Sequence, residues 1–253
     1  AEEVIKDYLK QEVDYVKIIC DQIPSGSPEM SFEQMKALID QAHLQGKKVF
    51  VHIGSPENAV NAIKAGADIL AHGVWRGKLT EEQADLIAAS GIPIIYTLAG
   101  FQNVDLILDG AFEPGEWDER LVPREILEPV TLANGKDVSE QAVMSQFFED
   151  VSTHSEHWMK NFYLLKVRKV PILIGTDSNL PGTYAGSTYF QEIERLQAFG
   201  LSTFDILRGA TYLNATAFLE NPDFGTIEVG KKANLLLLDG NPLQDLKFLH
   251  SPT

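Results

Sequence analysis

Short apolar runs alternating with helical periodicity set the rhythm of this chain. Tyr15–Cys20, Val49–Ile53, Ile69–His72, Pro93–Leu98 and Ile172–Thr176 are brief apolar stretches bounded by turn formers, which predicts strands. Between them apolar positions recur at three- and four-residue spacing. Residues 2–12 read as a polar amphipathic helix. Phe32, Met35, Leu38, Ile39 and Ala42 form a helical stripe behind a capping Ser31, and Gly46 ends it. Ser55 and Pro56 open the next helix, which closes at Gly66, and Thr80 caps a third that stops at Gly91. Further helices are predicted from about Ser139 to Arg168, from Ser187 to Phe199 and from Thr203 to Leu219. Glycines and prolines break residues 99–138, which predicts an irregular connection of the lid or binding-loop kind.

Strand–helix alternation of this sort predicts an α/β fold with a parallel sheet, wound either into a barrel or doubly. Read as a (β/α)8 TIM-type barrel it is incomplete, because five strand runs precede the tail and a closed barrel needs eight. The helical first residues place the missing units at the amino end, so the runs correspond to strands 4–8. The expected organisation is a barrel domain over 1–222, with an insertion at about 100–138, and part of a small β-sandwich domain over 223–253. In that tail Phe224–Gly230 reads as a strand and turn, and Ala233–Asp239 as a strand.

With 44% hydrophobic residues in 253 positions the chain can bury a large core. Its net charge of −15 repels phosphate backbones and argues against nucleic acid as a partner. No apolar segment reaches membrane-spanning length, and no glycine-rich phosphate loop follows a strand. The one cysteine, Cys20, excludes an internal disulfide and a thiolate metal cage and reads as a buried, inert thiol. Compartment stays open.

Candidate chemistry sits at the strand ends. Lys17, His52, His72 and Asp177 each lie in or just after an apolar run, and a parallel βα array points all its strand ends to one face. Tyr96, with Thr97 beside it, and Arg76, with Trp75 beside it, are placed on that face and read as substrate contacts, with core packing the alternative for Tyr96 and a surface ion pair the alternative for Arg76. Arg76 could grip a carboxylate. His154 and His157 lie one turn apart on a predicted helix and read as a solvated face.

At these residues the chain resembles a known family. KVFVHIGSPENAVNAIKAGADILAHG at 48–73 resembles the fifth and sixth βα units of the amidohydrolase superfamily, in its imidazolonepropionase-like and Xaa-Pro dipeptidase-like group. IGTDS at 174–178 looks like that group's eighth-strand aspartate motif. LSTFDILRGATYLNATAFL at 201–219 and GTIEVGKKANLLLLDGNP at 225–242 are similar to its following helix and its return to a small β domain. The resemblance implies a metal-dependent hydrolase of amide-type C–N bonds in a small molecule or dipeptide. It makes Lys17 a carbamate-forming ligand bridging two divalent ions, with zinc the expected metal, and places His52 and His72 on one ion. Asp177 would be both ligand to the other ion and proton-transfer base. The family's first-strand His-x-His pair has no counterpart, so the second ion would keep only Lys17 and Asp177. An open barrel seam makes a homo-oligomer the expected assembly.

The chemistry suits those residue types. Neutral imidazoles bind zinc well, whereas an ammonium cannot ligate, and Lys17 serves only if its pKa is depressed enough to react with CO₂. Two rival readings stay open: a Schiff-base lyase with Lys17 as amine nucleophile, and a non-catalytic, partner-binding module.

Overall fold

The computed structural model describes residues 2–23, 26–133, 142–178 and 180–250. In chain order the elements are α1 (Glu2–Leu9), β1 (Val16–Ile19), α2 (Phe32–Leu44), β2 (Val49–His52), α3 (Pro56–Ala65), β3 (Ile69–Ala71), α4 (Glu81–Ser90) and β4 (Ile94–Ile95). They continue with α5 (Leu98–Leu108), α6 (Glu116–Leu121), α7 (Arg124–Ala133), α8 (Ala142–Thr153), α9 (Ser155–Val167), β5 (Ile172–Leu173), α10 (Ser187–Ala198), α11 (Thr203–Arg208) and α12 (Asn214–Phe218). A π-helical turn, Gly209–Leu213, joins the last two helices, and a 3-10 turn spans Leu246–His250.

The five strands form one parallel sheet in sequential order. This is an arc of an α/β barrel. Along β1 burial alternates: Val16 and Ile18 are buried while Lys17 and Ile19 are exposed on the other face. Apolar side chains of the strands meet helix residues such as Met35, Ile39, Ala59, Ala62, Ala84 and Ile87 in one core. Small alanines on α3 let that helix lie close to the sheet.

Local chemistry starts the helices where expected. Ser31, Ser55 and Thr80 each accept the backbone N–H three residues on, and Gln34, Asn58 and Gln83 answer with reciprocal capping boxes. Gly66 and Gly91 close α3 and α4 in the left-handed conformation that glycine tolerates.

Three expectations need correction. The stretch 99–138, expected to be irregular, contains α5, α6 and α7 within its described part. α5 hid from periodicity because it is buried on nearly every side, from Leu98 to Ile107. The helix expected from Ser139 to Arg168 is two helices broken at His154, and its expected start lies outside the described residues. In the tail, Gly225 and Gly230 turn the chain with positive φ, but among the described residues neither Phe224–Gly230 nor Ala233–Asp239 forms a strand. Ile227, Val229 and Leu235–Leu237 are exposed there. No described helix is long and apolar enough to cross a membrane.

One buried side chain holds the loop that follows β3. Asn161 on α9 donates to the carbonyls of Val74 (2.8 Å) and Gly77 (2.9 Å) and accepts from Leu79 N (2.9 Å). Asn161→Leu would leave three backbone groups without their partner, at about 1–3 kcal/mol for each that stays dry. The expected result is a loss of at least about 3 kcal/mol, read from the denaturant midpoint at unchanged slope.

Candidate active site

The strand ends converge. Lys17, His52, His72 and Asp177, from β1, β2 and the turns after β3 and β5, line one cavity of about 370 Å³. Its other walls include Ile19, Trp75, Phe101, Phe147 and Leu180. The two imidazoles meet edge to face with centroids 4.3 Å apart. His72 Nε2 lies 3.5 Å from Asp177 Oδ2. Lys17 Nζ stands 4.9 Å from the centre of the Phe50 ring, its register partner across the β1–β2 ladder.

Backbone conformation aims these groups. His72, Thr97 and Asp177 all take positive φ, at 71°, 52° and 47°. Each follows the last laddered residues of its strand by one to four positions, where an ordinary extended residue would carry the chain onward. Left-handed backbone costs a non-glycine residue on the order of 1–3 kcal/mol, and His and Asp bear it better than branched residues. Among the described residues, three of the five non-glycine residues with positive φ thus face the cavity, the others being Glu12 and Lys169.

Electrostatics separate the groups. His72 is buried, and burial first, then the neighbouring His52 and Lys17, hold its pKa well below the ordinary 6.5. Its imidazole is therefore neutral, with Nδ1 2.7 Å from Thr97 Oγ1. Desolvation in the cavity wall lowers the Lys17 pKa, and the negative charge of Asp177 opposes that shift. Asp177 itself remains 59% exposed. Among the described residues, neither His52 Nε2 nor His72 Nε2 has a hydrogen-bond partner, and both atoms are buried.

These features fit a divalent cation. With its Nδ1 against Thr97, His72 is left with a buried, unpartnered Nε2 whose lone pair is costly unless something accepts it. Among the described residues no group of three or more His, Cys, Asp or Glu side chains is placed to share an ion. The two histidines are therefore the paired donors, and Lys17 could join them only after losing its proton.

The structure does not bring the two expected substrate contacts to the cavity. Tyr96 is buried under Gly73 and packs edge to face on Phe162 at 4.9 Å. Arg76 turns away, its Nη1 2.8 Å from Asp21 Oδ1 and its Nη2 2.9 Å from Asp150 Oδ2. Of their neighbours, Trp75 and Thr97 do line the wall. His154 and His157 lie 5.7 Å apart, centroid to centroid, beside the junction of α8 and α9, and both are partly buried. Cys20 is buried, donates to His52 O at 3.1 Å and has its pKa pushed up to about 12, chiefly by burial, as an inert thiol should.

Sequence reasoning passed over Asp21 and Glu192. Asp21 directly follows the first apolar run, and that position was its only local signal. Glu192 lies mid-helix on α10 with no signal at all.

A parallel barrel arc with reactive side chains gathered at its carboxyl strand ends defines the class of protein. The chain belongs to the amidohydrolase family, whose model matches residues 22–252. Lys17 and Asp21 fall outside that match. The chain is 26% identical over 242 residues to an uncharacterized protein of Mycobacterium tuberculosis, covering 94% of this chain and 55% of that one. It is 22% identical over 226 residues to ochratoxinase of Aspergillus niger, covering 88% and 39%. Among solved structures, a Xaa-Pro dipeptidase with bound methionine in its active site superposes with a TM-score of 0.74 at 21% identity, over 99% of this chain and 55% of that chain. The A. niger ochratoxinase structure gives 0.69 at 19%, over 99% and 50%. The chain therefore spans about half the length of the relatives it matches.

Thr97 gives its hydroxyl to His72 and makes no side-chain cap on α5. Glu192 takes over from α10, accepting Ala99 N at 2.7 Å. Complete burial pushes its pKa to about 7 from the ordinary 4.5. A raised carboxyl pKa means that the folded state holds the proton more tightly. Its contribution is present below about pH 4.5 and lost as pH rises through about 7. Glu192→Gln keeps an acceptor and removes the titration. Its stability relative to the parent should rise across that window, by up to about 3 kcal/mol, in melts of both proteins from pH 4 to 8.

Proposed function

We propose that this chain carries the catalytic half-barrel of a metal-dependent hydrolase that cleaves amide-type C–N bonds in a small molecule or dipeptide. The observation that supports it most is the meeting of Lys17, His52, His72 and Asp177 around one cavity, with the two imidazoles edge to face and His72 Nε2 buried and unpartnered. Family membership and the dipeptidase and ochratoxinase likenesses agree with it.

His52 and His72 would hold a divalent ion, zinc by the nature of its donors. Lys17 would add an oxygen ligand once converted to a carbamate, and its lowered pKa favours the free amine that this conversion needs. When bound, such an ion polarises a carbonyl and acidifies water.

The chain's own groups then divide the work. Asp177 sits within reach of His72 and is open to the cavity. Its carboxylate accepts the proton of the attacking water at Oδ2 and delivers it to the departing amine. Ile19, Trp75, Phe101, Phe147 and Leu180 hold the substrate's apolar part and exclude bulk water.

The natural full-length protein, assayed on a panel of dipeptides and N-acylated small amides, should lose activity to a chelator and regain it with zinc. Asp177→Asn should lower kcat by about 100-fold or more while elemental analysis finds most of the metal retained. Normal turnover in that variant would remove Asp177 from the mechanism. The lowered Lys17 pKa also suits an amine nucleophile. Borohydride trapping of substrate on Lys17, with activity indifferent to chelator, would replace the hydrolase by a lyase.

A further inference from the structure

Asp21 is an enclosed carboxylate whose two oxygens do different things. Oδ1 accepts from Arg76 Nη1 at 2.8 Å and from the Gln22 backbone N–H at 2.8 Å. Oδ2 has no hydrogen-bond partner among the described residues and lies 3.5 Å from His52 Nε2, which also has none. Two buried polar atoms, one an anionic acceptor and one able to donate, thus face each other across a gap only slightly wider than a hydrogen bond.

The surroundings are shaped for this carboxylate. A Cβ on Gly54 would lie 2.1 Å from Asp21 Oδ2, so the position next to His52 in the β2 exit admits only glycine. The Gly54 carbonyl accepts both Trp75 N (3.0 Å) and Arg76 N (2.9 Å), which brings the start of the Arg76 side chain alongside. Arg76 lies over the Trp75 ring at 4.6 Å and reaches Asp150 on α8 with its other terminal nitrogen. Cys20 N and Sγ both donate to His52 O, fixing the backbone on either side of the pair.

The geometry points to Asp21 as a positioning residue for His52. Its Oδ2 faces Nε2–H as the acceptor, selects that tautomer and leaves Nδ1 as the bare nitrogen for the cavity. Arg76 neutralises the carboxylate and keeps Oδ2 turned to the ring, which explains why this arginine is absent from the cavity wall. Carboxylates behind ligating histidines fix ring orientation and raise donor strength in metal sites generally. The tautomer assignment stands without the hydrolase reading, whereas its consequence for metal affinity rests on it.

The test uses the metal-free full-length protein with ¹⁵N-labelled histidine, at mildly alkaline pH. Long-range ¹H–¹⁵N correlation reads each tautomer, and the His52 signals are assigned by their loss in His52→Asn. The parent should show His52 protonated at Nε2. Asp21→Asn keeps an acceptor for Arg76 but turns an NH₂ towards the ring, so the proton should move to Nδ1. Zinc affinity in the variant should fall about 10- to 100-fold. A parent spectrum with the proton on Nδ1 overturns the proposal without any variant, and so does a folded Asp21→Asn protein with the tautomer unmoved. If Asp21→Asn does not fold, the parent spectrum decides alone. A tautomer switch in a protein that never takes up zinc supports the role of Asp21 and removes the hydrolase reading instead.

Discussion

Parallel pairing in sequential register is the constraint from which the site follows. Ile19 pairs with His52, His52 with Ala71, Ala71 with Ile95 and Ile95 with Leu173. Those pairs run across the sheet as a line; His52, His72 and Asp177 stand on it or just beyond it, and Lys17 lies two residues before it on the same face of β1 as Ile19. Slipping any one strand by a single residue would turn its reactive side chain to the opposite face, because side chains alternate with a period of two. The apolar residues that lock the register are Val16, Ile18, Val49, Val51 and Ile94, all buried under the helices. Burial on the outer face of the arc therefore fixes chemistry on the inner face.

How much of this was legible depends on how far apart the cooperating groups lie in the chain. Ser31, Ser55 and Thr80 announce their helices because cap and partner are three residues apart. The strand-end residues were legible because a parallel array needs no long-range information to gather them. The helices within 99–138 were not. α5 carries Gly100 and buries polar Asn103, and α7 contains Pro129, so neither shows the amphipathic stripe that reveals a surface helix. Arg76 and Tyr96 do not line the cavity, for a related reason. A strand-end position says which end of the barrel a residue occupies, but only its neighbours decide whether it faces the cavity. For Arg76 those neighbours are Asp21 and Asp150, 55 and 74 positions away in sequence.

The acidic balance of the chain makes its buried charges informative. Surface carboxylates cost nothing in water, whereas Asp21 and Glu192 lie in the interior and need a reason to be there. They solve the problem differently. Asp21 is paired with a guanidinium, while burial pushes the pKa of Glu192 to about 7. Each serves a backbone segment that carries a cavity group: Asp21 behind His52, and Glu192 at the first turn of α5, one step from Thr97.

These two arrangements lead to one reading of the histidine pair. His72 has its Nδ1 against the Thr97 hydroxyl, and His52 has its Nε2 against the Asp21 carboxylate. In each ring the partner comes from the loop after a neighbouring strand, β4 in one case and β1 in the other. Each imidazole is thus gripped at one nitrogen from one side of the barrel and offers the other to the cavity. Because opposite nitrogens are gripped, the rings can meet edge to face at 4.3 Å without presenting the same edge to each other. Two histidines on adjacent strands would otherwise crowd, and neutral rings with assigned tautomers can share the space. The positive φ of His72 belongs to the same solution. It swings the second ring off the ladder line, at a cost in backbone strain that the Thr97 contact and burial of the ring offset.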